Sequence, residues 1–175
     1  MKPKWWNKAK KQLRQRDKVM KKLLSAYKGH LTTRNNFFYS LTRSIISQQI
    51  SVSAADSVFS KFEKKCRGKI NPKTVSKLSI TDLRRCGLSR MKALGIKSLA
   101  DKILDKSFSP KLIKKMSDEE AINYLSSLRQ IGRWSSEMVL IFFYNRPNIW
   151  PVQDIGLLRA ISNNYKKKYL PPKSF

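Results

Sequence analysis

The sequence predicts an all-α protein, and three observations lead to that class. Apolar residues recur at helical spacing along most of the 175 residues, and no segment alternates apolar and polar residues as a strand does. Helix start and stop signals follow one another closely, which predicts roughly eight to ten short helices and argues against a coiled coil. No flexible linker or low-complexity run divides the chain, so we expect residues 1–175 to form one compact unit.

The first predicted helix covers residues 4–28, where apolar residues form a stripe that ends before Gly29. Such a stripe indicates core packing more often than binding to a membrane surface. We expect this helix to pack against the C-terminal segment, outside a core formed by residues 37–161.

The next helix is predicted over residues 37–50, and its end carries Gln48 and Gln49 side by side. This pair is either an ordinary polar connection or a hydrogen-bonding probe. Ser51 or Ser53 then caps a helix that reaches Phe62.

Start signals place the remaining helices. Ser117 followed by Glu120 is typical of a capping box, so a helix is predicted from there to about Leu128. Gly95 interrupts the pattern of the helix that Ser89 starts. The other predicted helices cover residues 72–77 and 81–86, a segment that ends at Pro147, and a segment after Asp154.

The strongest global signal is charge, because 38 Lys and Arg oppose 11 Asp and Glu for a formal charge of +27. Such a field indicates binding of nucleic acid; the alternative is a lysine-rich solvated surface. Cys66 and Cys86 form no CxxC pair and His30 is the single histidine, so the ligands of zinc and iron–sulfur sites are lacking. No signal peptide or membrane-length apolar run occurs, which predicts a cytoplasmic protein.

The segment 128–154 combines a tight turn with an isolated acid. The turn at residues 130–132 opens into an apolar helix, so its backbone N–H groups can hold a phosphate and Arg133 adds charge. The alternative is an ordinary helical hairpin over residues 128–138. Asp154 is the only acid after Glu137, and it is either a helix cap or a catalytic carboxylate; both roles are compatible.

Four blocks carry a resemblance to a known family: SIISQQISVSAAD, CGLSRMKALGIKSLA, LRQIGRWSSEMVLIF and RPNIWPVQDIGLLRA. They resemble the helix-hairpin-helix base excision glycosylases, most closely the alkylation-type DNA-3-methyladenine glycosylases, over about residues 44–160. The resemblance implies an all-α, two-lobed helix-hairpin-helix DNA glycosylase fold with a pocket between the lobes. The family usually continues with a further helix after Tyr165, whereas this sequence ends at Phe175, so we expect that C-terminal helix to be missing.

The resemblance also assigns roles to individual residues. Asp154 matches the catalytic aspartate. Trp134 falls where bifunctional relatives place their Schiff-base lysine, which implies hydrolysis without lyase chemistry. No cofactor is required, although relatives can hold a monovalent cation at the hairpin. The resemblance implies that Gln49 fills the gap left by a flipped nucleotide, with Gln48 and Ser51 beside it. It implies that the hairpin binds DNA through Gln130, Ile131, Gly132 and Arg133. The cation would bind the carbonyls of Ser126, Leu128 and Ile131.

Gln130 departs from the family pattern, which usually has glycine there. If the position requires a positive φ, a glutamine is strained or the turn is reshaped.

The chemistry fits these residues, because an alkylated purine is a cation that aromatic rings attract. Trp134 is the leading pocket wall, with Phe38 and Trp150 as further candidates beside Phe37 and Tyr39, although single aromatic residues more often belong to the core. We therefore expect a monomeric, monofunctional glycosylase acting on alkylated bases in double-stranded DNA of the nucleoid. The alternatives are a non-catalytic helix-hairpin-helix module that senses damage, and a basic nucleic-acid binder whose affinity falls steeply with salt.

Overall fold

The computed structural model describes residues 2–167, and every regular element in that part of the chain is a helix. One short 3-10 helix, Leu112–Lys115, precedes α8. In chain order the α-helices are α1 (Trp6–Arg16), α2 (Lys18–Ala26), α3 (Phe37–Ser47), α4 (Val52–Lys65), α5 (Pro72–Ser76), α6 (Ile80–Arg85), α7 (Arg90–Leu104), α8 (Asp118–Ser126), α9 (Arg133–Phe142) and α10 (Ile155–Tyr165). The expected absence of a further C-terminal helix concerns residues beyond 167 and lies outside the described residues.

The helix predicted over residues 4–28 is in fact two helices. Asp17 has an extended backbone, with φ −141° and ψ 118°, and its Oδ1 accepts a 2.9 Å hydrogen bond from the Met20 amide. A residue that caps a new helix cannot continue the old one. Neither α1 nor α2 contributes a fully buried residue, and the stripe residues Val19, Met20, Leu23 and Leu24 are half-buried, so this pair of helices lies outside the buried core.

Two long-range hydrogen bonds join this N-terminal pair to the end of the chain. The Tyr165 hydroxyl donates to Asp17 Oδ2 over 2.6 Å, and Trp5 Nε1 donates to the Asn145 carbonyl over 2.7 Å. The pair therefore contacts α10 and the segment after α9.

The core surrounds α3, whose Leu41, Ile45 and Ile46 have no exposed surface. Apolar side chains of α4, α7, α8 and α9 pack around them in a single cluster. This packing orders α3 and α9, the two helices that form the site described below.

The predicted helix starts at Ser51, Ser89 and Ser117 are confirmed, since each hydroxyl accepts a hydrogen bond from an amide three residues later. The capping box of Ser117 and Glu120 is complete, because the carboxylate also accepts from the Ser117 amide over 2.8 Å. Gly95 does not interrupt α7. Within residues 2–167 no helix is long and apolar enough to cross a membrane.

Candidate active site

A cleft of about 830 Å³ lies between α3 and α9. Its lining repeats every three or four residues along both helices, so one face of each helix forms each wall. The residues that line it are Arg34, Asn35, Asn36, Tyr39, Ser40, Arg43, Ser44, Ser47, Trp134, Met138 and Phe142.

Trp134 is the aromatic wall that the sequence predicted, and the residue is 42% exposed. Phe38 was a wrong prediction: it is 4% exposed and belongs to the core, because adjacent helix residues point in different directions and only Tyr39 is turned towards the cleft. Phe37 is likewise a core residue. Trp150 does not line the cleft; it is 62% exposed on the loop before α10.

Asp154 is fixed by two hydrogen bonds, one to each carboxylate oxygen. Oδ1 accepts from the Leu157 amide over 2.7 Å, which makes Asp154 the N-cap of α10, and Oδ2 accepts from Trp134 Nε1 over 2.9 Å. A side chain on Gly156 would place its Cβ 3.1 Å from Oδ1, so glycine leaves room for the carboxylate. The acid is thus joined directly to the cleft wall.

These contacts also set the ionisation of Asp154. The Leu157 amide and then the Trp134 indole lower the pKa of the carboxyl below its usual value, while partial burial opposes them. Hydrogen bonds donated to a carboxylate favour its charged form. Asp154 is therefore a carboxylate at neutral pH, both a helix cap and an anion beside the cleft.

The hairpin consists of α8, a turn at residues 127–132, and α9. Gly132 is the N-cap of α9 and has no side chain to cap it, so the amides of the first turn of α9 have no acceptor within the helix. Buried Ser136 stabilises the turn, because its hydroxyl donates to the Gly132 carbonyl over 3.0 Å and lies 3.1 Å from Ser126 Oγ. Such a helix start attracts anions.

The hairpin corrects two predicted DNA contacts. Arg133 forms two hydrogen bonds with Glu119, of 2.6 and 3.0 Å, and its Nε lies 3.2 Å from the buried Glu137, so its charge is already neutralised. Ile131 is buried in the core, and its amide donates to the Leu128 carbonyl over 3.1 Å. The side chains of Arg133 and Ile131 are therefore not free to bind DNA, whereas the Arg133 amide belongs to the uncapped first turn of α9 and can donate a hydrogen bond to an anion.

Gln130 occupies the left-handed region with φ 68°, the conformation for which the family usually has glycine. Its side chain packs on α7 where Gly95 leaves space: a Cβ on Gly95 would lie 2.8 Å from Gln130 Cγ and 3.1 Å from the Arg129 carbonyl. Gly95 therefore leaves room for the Gln130 side chain at this turn.

Gly95→Ala should destabilise the protein by about 1–3 kcal/mol through overpacking, although alanine is the better helix former. Gln130→Gly should recover part of that loss in the double variant, because it removes the atom that clashes and relieves the positive φ. Urea unfolding of the two single variants and the double variant measures the coupling. Purely additive losses would contradict this pairing.

Gln48 and Gln49 have different environments. Gln48 Nε2 donates to the Gln130 carbonyl over 2.8 Å and lies 3.4 Å from Ser135 Oγ, so its amide nitrogen binds the hairpin. The contact of Gln48 with DNA stays a prediction. Gln49 is exposed, with φ 56°. Ser51 caps α4. We call residues 47–51 the glutamine loop; Gln49 is its left-handed residue and is exposed, as are its neighbours Ile50 and Ser51.

Sequence reasoning missed most of the cleft lining. Tyr39, one of the weaker candidates for the pocket wall, does line the cleft. Arg43, Met138 and Phe142 were not predicted, although spacing by three or four residues from Asn36 and Trp134 is the signal that finds them. Arg43 is paired with Asp56 and lies 4.6 Å from the centre of the Phe59 ring. The cleft thus has a more polar α3 wall than the sequence suggested.

The fold and this site define a helix-hairpin-helix protein with a capped aspartate beside an aromatic cleft. The chain belongs to the HhH-GPD superfamily of base excision DNA repair proteins, whose family model matches residues 42–173. The predicted fold class and family are thereby confirmed.

Individual relatives agree with this assignment. The chain is 30% identical over 160 residues to DNA-3-methyladenine glycosylase 1 of Schizosaccharomyces pombe, which covers 89% of this chain and 68% of that protein. The structure matches the S. pombe 3-methyladenine DNA glycosylase in complex with abasic DNA with a TM-score of 0.76 at 27% identity, over 94% of this chain and 84% of that one. For the DNA-3-methyladenine glycosidase of Bacillus halodurans, the TM-score is 0.77 at 26% identity, over 87% and 71%.

Proposed function

We propose that the protein is a monofunctional DNA glycosylase that hydrolyses the N-glycosidic bond of alkylated purines of the 3-methyladenine type in duplex DNA. The observation that carries this proposal is the ionised Asp154, held by the Leu157 amide and the indole of the cleft wall Trp134. The names of the relatives support the substrate class.

The reaction needs little acid catalysis, because a ring-alkylated purine already carries positive charge. The bond between C1′ and the purine nitrogen breaks, the base leaves with the bonding electrons, and water adds to C1′ and loses a proton to solvent. Asp154 stabilises the positive charge that develops on the sugar and orients the water. Trp134 has no amine to form a Schiff base, so we expect no efficient lyase step.

The cleft between α3 and α9 receives the flipped base. Trp134 and Tyr39 offer ring surface to a cationic purine, and each such contact stabilises it by about 0.5–2 kcal/mol. The target nucleotide must leave the stack before it reaches the cleft, and Gln49 is the exposed side chain that would occupy its place. The first turn of α9 holds a backbone phosphate.

A monovalent cation at the hairpin is part of the proposal. The carbonyls of Ser126, Leu128 and Ile131 would hold it, and it would add positive charge towards a phosphate. The turn fits such an ion, since the Leu128 carbonyl accepts only the Ile131 amide among the described residues and retains a second lone pair. A monomeric state and a cytoplasmic location, with the protein bound to nucleoid DNA, belong to the same proposal.

The direct test incubates the purified protein with methylated duplex DNA and measures the free bases. Release of 3-methyladenine supports the enzyme. If no base is released but the protein prefers damaged over intact duplex, it is a damage-sensing module. Equal, strongly salt-dependent binding to both duplexes would instead identify a general nucleic-acid binder.

Gln49→Ala should weaken binding to duplex DNA that contains an abasic site by about tenfold and leave binding to intact duplex within about twofold, since only the abasic duplex contains a gap to fill. Fluorescence anisotropy measures both affinities. Gln49→Gly is the control for backbone strain, because glycine adopts the positive φ freely. Equal losses on both duplexes would show that Gln49 contacts the DNA backbone generally.

A further inference from the structure

Lys92, in the first turn of α7, contacts the glutamine loop. Its Nζ donates to the Ile46 carbonyl over 2.8 Å and to the Gln48 carbonyl over 2.6 Å. The side chain is partly buried, and this desolvation lowers the pKa of the amine. No carboxylate pairs with Lys92 among residues 2–167, so its charged hydrogen bonds go to these carbonyls.

The same helix also contacts the hairpin. Gly95 lies three residues after Lys92, on the neighbouring turn of α7, and packs against Gln130 and the Arg129 carbonyl. Gln48 completes the connection, because its side chain donates to the Gln130 carbonyl. The glutamine loop, the hairpin turn and α7 therefore contact one another pairwise, and Lys92 provides the contact between α7 and the loop.

A simpler role for Lys92 would be to stabilise the C-terminus of α3, where carbonyls lack helical partners and favour a cation. The second carbonyl argues for more. Gln48 lies outside α3, directly before the left-handed Gln49, so Lys92 fixes the backbone from which the Gln49 side chain emerges. Charge-assisted hydrogen bonds at both carbonyls hold that backbone more firmly than either alone.

We propose that Lys92 is a positioning residue that fixes the glutamine loop against the hairpin, so that Gln49 enters the DNA while the hairpin holds the backbone. This inference rests on the proposed function, because it assumes that a nucleotide is flipped. It assigns Lys92 no contact with the reacting atoms.

The test compares two duplex substrates. In the first the lesion is paired with its normal base; in the second the same lesion lies opposite an abasic nucleotide, so the lesion is already unpaired. Lys92→Met keeps the apolar stem and removes the donors. It should lower the single-turnover rate of base release from the paired substrate by about tenfold but from the unpaired one by less than about twofold, because the cost of flipping is then small. Lys92→Arg, which retains charged donors, should restore most of the loss.

Lys97→Met is the matched control. Lys97 lies on the same helix, is partly buried, and donates its Nζ to the Ser76 carbonyl over 2.6 Å, away from the glutamine loop. The Lys97→Met variant should keep both rates of base release within about twofold of wild type, since a contact elsewhere on the helix does not position Gln49. Gln48→Met, which separates the loop from the hairpin, should reproduce the substrate-dependent loss and keeps the test valid if Lys92→Met does not fold.

Equal decreases in the rate of base release from both substrates in Lys92→Met would overturn the proposal. It would also be overturned if the effects of Lys92→Met and Gln49→Ala simply added in the double variant, because a residue that acts through Gln49 has little effect once Gln49 is absent. Binding to duplex DNA with a tetrahydrofuran abasic analogue is measured in parallel. If the wild type releases no base from either substrate, the proposed function fails. The positioning role is then still supported by a selective loss of tetrahydrofuran binding in Lys92→Met, and overturned by its absence.

Discussion

Asp154→Asn should lower the rate of base release at least about hundredfold, the usual effect of removing a group that stabilises transition-state charge. Asparagine is nearly isosteric and also caps helices, so α10 should keep its start. The variant therefore lacks only the negative charge beside the cleft. Single-turnover release from methylated duplex measures the effect. Affinity for the same duplex should change by less than about threefold, because a carboxylate is itself an anion and does not attract the phosphates that supply most of the binding.

Asp17→Asn is a matched control for this variant. Asp17 also caps a helix through an amide three residues later, and its second oxygen also accepts from an aromatic side chain, the Tyr165 hydroxyl. The two aspartates thus share their bonding and differ in position, since Asp17 does not line the cleft. Base release by Asp17→Asn should stay close to wild type. If Asp154→Asn also releases base at a near wild-type rate, Asp154 is not the catalytic residue.

Trp134 should give the second large effect, and two variants separate its contributions. Trp134→Phe keeps a ring in the cleft wall but removes the donor to Asp154, so the pKa of the carboxyl should rise and its orientation loosen. We expect about a tenfold lower single-turnover rate, the value of one hydrogen bond to a charged group. Trp134→Ala also removes the ring and should weaken substrate binding by roughly a further tenfold.

Trp150→Ala is the control for Trp134→Ala, because Trp150 is an exposed tryptophan that does not line the cleft. Its kinetics should stay within about twofold of wild type, as is usual for surface substitutions. Unchanged kinetics in Trp134→Phe would show that the indole hydrogen bond is unused in the reaction. A loss in Trp150→Ala as large as that in Trp134→Ala would show that the substrate pocket includes Trp150.

Features that depend on local chemistry were predictable from the sequence. The capping box at Ser117 and the cap at Asp154 follow from side chains that satisfy backbone groups within a few residues. The break at Asp17 had the same local signal, but the apolar stripe that continues through it suggested one helix.

Features that depend on packing between helices were not predictable. Phe38 and Tyr39 are neighbours, and only the orientation of α3 decides that the first lies in the core and the second in the cleft. The neutralisation of Arg133 by Glu119 requires α8 to lie beside α9. Periodicity shows which residues share a face, but it does not show what that face contacts.

The left-handed conformations of Gln49 and Gln130 have a consequence for the entropy of DNA binding. Each costs the folded protein about 1–2 kcal/mol of backbone strain that glycine would avoid. Hydrogen bonds from the side chains of Gln48 and Lys92 hold this part of the chain in place before any DNA is bound. The conformational entropy of ordering these two turns is therefore lost during folding and does not reduce the affinity for DNA.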